Sequence, residues 1–175
     1  MRISPSLVVC FVLVLGASGG TAGQEGQTVP DLTVPPDAEM FVGTEVCERT
    51  YFGSEIIEEV NYIVEHFSCT TETTDPRASG IEELDVYSRR GGASSVLPWV
   101  AVGEFSTEGG SWRGRAEGMV DVRGVSPLGE RGAPFNYGEM TYAGEGAYEG
   151  LVMHYYFAGG NDVTGVAGWI AHAPE

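Results

Sequence analysis

From Met40 onward, apolar and polar positions alternate in short runs that break at turns rich in Gly, Pro and Asp. Such a period of two, punctuated this way, predicts strands. The runs cover 43–52, 60–71, 81–88, 97–105, 111–122, 135–143, 147–158 and 163–171. The breaks between the later runs are "TTDPRASG", "RRGGASS", "STEGG", "RGVSPLGERGAP", "GEG" and "GGND". One stretch carries a mixed signal. In "GSEIIEEVNYIVEHF", Ile56, Val60, Ile63 and Val64 have a rough helical period, which leaves room for a helical turn over 54–59. Its second half is β-branched and aromatic and reads as strand. Eight strands joined in sequence by mostly tight turns predict an all-β, eight-stranded antiparallel up-and-down β-barrel, with a two-sheet sandwich as the alternative.

Alternation also assigns faces. In "SWRGRAEGMVDV", Trp112, Gly114, Ala116, Gly118, Val120 and Val122 share the inward side, and Arg113, Arg115, Glu117 and Asp121 the outward side. Two glycines and an alanine leave an interior stripe of little volume. A bulky neighbour folding across it is the expected outcome, because interiors are close-packed; a cavity is the other. In "LVMHYYFA" both faces are apolar or aromatic: Leu151, Met153, Tyr155 and Phe157 on one, Val152, His154, Tyr156 and Ala158 on the other. A strand of that kind predicts cover on its outer side, and another subunit is the simplest cover.

The domain fills 40–173. Ahead of it, a basic start, the apolar run "LVVCFVLVLG" and the small residues "ASGGTAGQ" form the layout of a secretory signal peptide over 1–23. Residues 24–39, "QEGQTVPDLTVPPDAE", read as a Pro-rich flexible linker. The expected localisation is secreted, extracellular or periplasmic, with no membrane association after cleavage. Charge narrows the partners further. Nine arginines, no lysine and twenty-five carboxylates give a formal net charge of −16, which becomes −17 once Arg2 leaves with the leader. A chain so acidic repels phosphate backbones, which excludes nucleic acid and anionic membranes as partners.

Cys47 and Cys69 are the cysteines that remain after cleavage. Two cysteines in an exported chain predict one disulfide. If they face each other, the hairpin centre falls at Glu58, inside a polar connection. A metal pair or a thiol nucleophile lacks neighbouring partners in the sequence.

The cluster Gly144, Gly146 and Gly150 in "YAGEGAYEGLVMHYYF" lacks the dinucleotide spacing, and no P-loop lysine exists. It reads as a device for a tight turn and a sharply coiled strand. Here the chain resembles the Gly-x-Gly-x-aromatic-x-Gly signature of allene oxide cyclase and dirigent-type barrels, carried by "GEGAYEGLVMHYYF". The segments "SCTTETTDPRASG", "GGSWRG", "GEGAYEGL" and "GWI" are also similar to small exported bacterial proteins of unassigned function. The resemblance implies an eight-stranded barrel with an apolar cavity, assembled as a homo-oligomer, dimer or trimer. It transfers fold, not chemistry.

Candidate chemistry is sparse. His66, His154 and His172 have no metal-ligand spacing, and no metal or cofactor is expected. His154 and Glu139 are the candidates for a catalytic role. The adjacent pairs Glu58–Glu59 and Glu82–Glu83 would point to opposite faces of a strand, which argues against a shared acid–base site. Glu117, on the face of Arg113 and Arg115, suits a surface ion pair. A ligand cavity, if the barrel holds one, is expected near Trp99, Trp112, Gly114, Gly118, Tyr155 and Trp169. Three functions follow in order: a non-catalytic barrel binding an apolar or aromatic small molecule, an extracellular interaction protein using strand seven, and an isomerase of the cyclase type. The last requires an inward ionisable group with a displaced pKa.

Overall fold

The computed structural model describes residues 34–89, 96–121, 135–160 and 163–174. The expected leader, most of the expected linker, the breaks expected within 90–95, 122–134 and 161–162, and Val122 lie outside the described residues. Eight strands follow in order: β1 (Glu39–Ile57), β2 (Val60–Thr73), β3 (Gly80–Arg89), β4 (Val96–Ser106), β5 (Ser111–Asp121), β6 (Phe135–Glu145), β7 (Leu151–Gly159) and β8 (Thr164–His172). Each pairs antiparallel with the next, and β1 pairs with β8, so the sheet closes into an up-and-down barrel. Closure removes the free sheet edges that an open sheet would present.

Two segments differ from the sequence expectation. Residues 54–57 are strand rather than a helical turn, because β1 and β2 form a hairpin closed by Glu58 and Glu59 alone, both at positive φ (48° and 66°). That two-residue geometry matches the right-handed twist of the flanking strands. The hairpin centre and the facing of Cys47 with Cys69 are as the spacing predicts. The second difference is at 147–150, where a short 3-10 turn (Gly146–Tyr148) precedes β7. Gly146 and Gly150 sit at φ 63° and 84°, in the left-handed region that glycine enters freely, so the glycine cluster is a turn device.

The turns at 74–79, 107–110 and 146–150 lie at one end of the barrel, which is closed. A 3-10 turn (Pro76–Ala78) caps it, held by the Asp75 carboxylate, which accepts from the Arg77 backbone N–H at 2.9 Å. Trp112 is fully buried there; its indole N–H donates to the Arg77 carbonyl at 2.8 Å, and it stacks on Tyr148 at 4.9 Å. At the opposite end β1 outruns β8. Its pairing with β8 stops at Glu45, while its pairing with β2 continues to Ile57, so the β1–β2 hairpin projects past the rim.

The interior glycine stripe is crossed by aromatic rings, as close packing demands. A Cβ on Gly114 would lie 2.8 Å from the Tyr142 ring, and one on Gly118 would lie 2.5 Å from the Trp99 ring. These glycines let a ring from one strand lie flat over its neighbour.

Candidate functional site

The site begins with two carboxyls placed inside the barrel by strand alternation. On β1, Phe41, Glu45 and Cys47 share the inward face; on β3, Glu82, Leu84, Val86 and Ser88 do. Glu82 is wholly buried and Glu45 nearly so. Two tyrosines hold Glu82. The Tyr155 hydroxyl donates to its Oε2 at 2.9 Å, and the Tyr142 hydroxyl donates to its Oε1. Tyr142 starts on β6 and reaches β3 because Gly114 and Gly103 offer no side chain in its path; its hydroxyl would lie 2.8 Å from a Cβ on Gly103. The glycine stripe is thus the track along which Tyr142 reaches Glu82.

Glu45 contacts Glu82 directly, and its Oε2 accepts from the Thr71 hydroxyl at 3.3 Å. Its Oε1 lies 3.4 Å from the sulfur of Cys47, which is joined to Cys69 in a disulfide and has no proton to give. Burial raises the pKa of Glu82 well above the usual carboxylate range, and the charge of Glu45 raises it further. Burial also raises Glu45, opposed by its hydrogen bonds from Glu82 and Thr71. Two contacting carboxyls cannot both ionise in such surroundings. Glu82 therefore keeps its proton, directed at Glu45, and Glu45 carries the charge. Tyr142 and Tyr155 are raised too, first by burial and then by the acidic pair that they face, so both phenols remain donors.

Above this pair, toward the open end, lies a cavity of about 640 Å³. Glu45 and Cys47 are in its wall together with Leu84, Val86, Trp99 and Phe157. Arg49 and Glu65 stand in its lining on the β1–β2 hairpin, where they pair at 2.8 Å, and the Arg49 guanidinium lies over the Phe52 ring at 5.0 Å. The volume falls in the range usual for small-molecule sites, about 300–1,000 Å³.

Of the residues expected at a cavity, Trp99 lines it, its indole N–H donating to Asn136 Oδ1 at 2.9 Å. The others do not. Trp112 plugs the closed end, Gly114 is covered by Tyr142, and Gly118 is covered by Trp99. Tyr155 is buried beside Glu82, below the cavity. Trp169 points outward, because β8 turns Val166, Gly168 and Ile170 inward, and it stacks on His154 at 5.4 Å. The catalytic candidates are also outside the barrel. His154 Nδ1 is bonded to the Thr141 hydroxyl at 2.9 Å, and its Nε2 is 3.7 Å from Glu139. Burial lowers the His154 pKa despite the Glu139 carboxylate. These two residues belong to the outer face of β6, β7 and β8, where Glu139 also borders a shallow groove of about 560 Å³ with Met119, Tyr137 and Tyr156. Of the arginines beside Glu117, Arg113 pairs instead with Glu104 at 2.5 Å and Glu145 at 3.6 Å.

The residues that sequence reasoning missed are Glu45 and Glu82. The signal was present. Glu45 is two residues before Cys47, whose partner in the disulfide fixes that face as inward, and Glu82 is in register with Leu84 and Val86. Reading Glu82–Glu83 as a mutual pair hid the partner that Glu82 finds on another strand.

The fold and site define a closed eight-stranded barrel, disulfide-bonded, plugged at one end and hollow at the other, with an acidic pair at the base of the hollow. Comparison with protein-family profiles, curated proteins and solved structures gives no match. No helix among the described residues is long and apolar enough to cross a membrane.

Proposed function

We propose that this chain is an exported binding protein that holds a small, largely apolar molecule in the open half of the barrel. The cavity of about 640 Å³ carries this reading, because a void of that size between Leu84, Val86, Trp99 and Phe157 is otherwise an unfilled core. The disulfide is compatible with the export implied by the leader at 1–23. The resemblance to allene oxide cyclase and dirigent-type barrels belongs to the same proposal; the strand count and the turn formed by the glycine cluster support it.

Native mass spectrometry of the mature protein, purified from its own host's medium, tests the reading. An adduct of small-molecule mass is expected, and Val120→Trp, which places an indole in the cavity wall, should abolish it while leaving the fold intact. A ligand-free wild type that also takes up no apolar dye, with Val120→Trp behaving identically, would overturn it.

One observation favours a second reading, an isomerase of the cyclase type. Glu45 is an inward ionisable group whose pKa is raised by burial, and it lines the cavity. Such a group can take or return a proton next to a bound substrate. Conversion of the bound species by wild type but not by Glu45→Gln would place the protein among enzymes. Assembly as a dimer or trimer through the outer faces of β6 to β8 is part of the proposal and is read by analytical ultracentrifugation of the wild type beside Tyr156→Arg.

A further inference from the structure

The base of the cavity also bears on which molecule fits, an inference that rests on the binding reading above. Glu82 keeps its proton and directs it in a hydrogen bond to Glu45, and both of its oxygens already accept from tyrosines. What the pair offers the cavity is therefore the carboxylate of Glu45, an acceptor. A ligand that reaches it must bring a donor.

A charged donor fits better than a neutral one. Among the described residues, the groups facing Glu45 are Thr71 and the Cys69 sulfur from β2, Cys47 on its own strand, and Glu82 from β3, with Tyr142 and Tyr155 beyond Glu82. None of them is a cation. Among the described residues, the one cation in the cavity lining, Arg49, is paired with Glu65 and lies over Phe52. A buried negative charge without a counter-charge is costly, and a cation delivered by the ligand relieves that cost. Trp99 and Phe157 present aromatic surface in the same wall, which also attracts ammonium groups. At long range a chain of net charge −16 draws cations in and keeps carboxylates out.

We infer that the cavity is selective for an apolar body carrying a protonated amine, which forms an ion pair with Glu45 at the base, and that it discriminates against the corresponding carboxylic acids.

Octylamine, octan-1-ol and octanoate share one apolar chain and differ in the head group, so calorimetry at pH 7 and low salt tests the inference. Octylamine should bind wild type about tenfold or more tighter than octan-1-ol, the scale of one hydrogen bond to a charged group, with octanoate weakest. Glu45→Gln should bring octylamine down to about the affinity of octan-1-ol for the same variant, with a wild-type circular-dichroism spectrum showing that the variant is folded. Acidification from pH 8 to 4 should weaken octylamine alone, since the amine stays charged throughout while Glu45 takes up a proton and loses its charge. Octanoate binding as tightly as octylamine, or an amine preference that survives in Glu45→Gln, would overturn the inference and leave the binding reading standing. If none of the three binds wild type, the binding reading fails first.

Discussion

The closed and open halves of the barrel are built from the same strands, yet one is full and the other hollow. In the closed half Tyr142 crosses Gly114 and Gly103 to reach Glu82, and Trp112 stacks on Tyr148 beneath the Pro76–Ala78 turn. In the open half Trp99 covers Gly118, stacks on Phe157 at 5.7 Å, and stays along its own wall. The opposite wall of Leu84, Val86 and Phe67 then faces space. Both halves use the same glycine and aromatic residues. What differs is whether a ring crosses the lumen or lies along its side, and this is decided by which neighbouring positions are glycine.

The sharpest way to break that contrast is to empty the full half. Trp112→Ala removes a wholly buried indole, its hydrogen bond to Arg77 and its stack on Tyr148. A loss of about 3–5 kcal/mol is expected, read as a large drop in the urea midpoint. Next in size is the disulfide. The Cys47→Ser, Cys69→Ser double variant should lose about 3 kcal/mol, since the bridge closes a separation of 22 residues in the unfolded chain. Because Cys47 lies against Glu45, the same variant should weaken amine binding more than alcohol binding.

A gentler comparison adds one methyl group to each half. In Gly114→Ala the new Cβ meets the Tyr142 backbone and ring, and about 1–3 kcal/mol should be lost. Val86→Leu adds its methylene toward the cavity and should cost under about 1 kcal/mol. Thermal melts of the two variants side by side read the difference. Equal losses would mean that the open half is packed as tightly as the closed one.

Most of this fold was legible in the sequence because alternation is a local property. All eight strands overlap the period-two runs, although β1 passes Gly53 and ends at a turn of two glutamates, and the inward set of β5 from Trp112 to Val120 follows from alternation, with Asp121, expected outward, buried at the strand's end. The start of β7 was not legible, since "GAYEG" suits a strand by composition and the positive φ of Gly146 and Gly150 turns it into a 3-10 bend. The site was the least legible part. Glu45 and Glu82 are 37 positions apart and meet only because β2 lies between them in a closed sheet, whereas Glu139 and His154 drew notice by standing among aromatics. Those aromatics belong to the outer face. Alternation fixes which residues look inward, but the depth at which two inward residues meet depends on the strand register.

The smallest effect, near pH 5, comes from exchanging the buried acid for its amide. Glu82→Gln keeps the shape and retains groups that can bond Tyr142, Tyr155 and Glu45. The folded-state pKa of Glu82 is raised well above the ordinary carboxylate value by burial and by the charge of Glu45, so above that ordinary value the folded protein binds more protons than the unfolded chain. Wild-type stability from this group is accordingly highest in acid and falls as pH rises from that value through the folded pKa. The amide cannot titrate, so it should melt close to wild type at pH 5 and above it at pH 8, with any remaining slope belonging to Glu45. Urea titrations of both proteins across pH 4–9 decide the matter. Parallel curves would mean that Glu82 is not the carboxyl that keeps the proton, and that the charge at the base of the cavity does not stand on Glu45 alone.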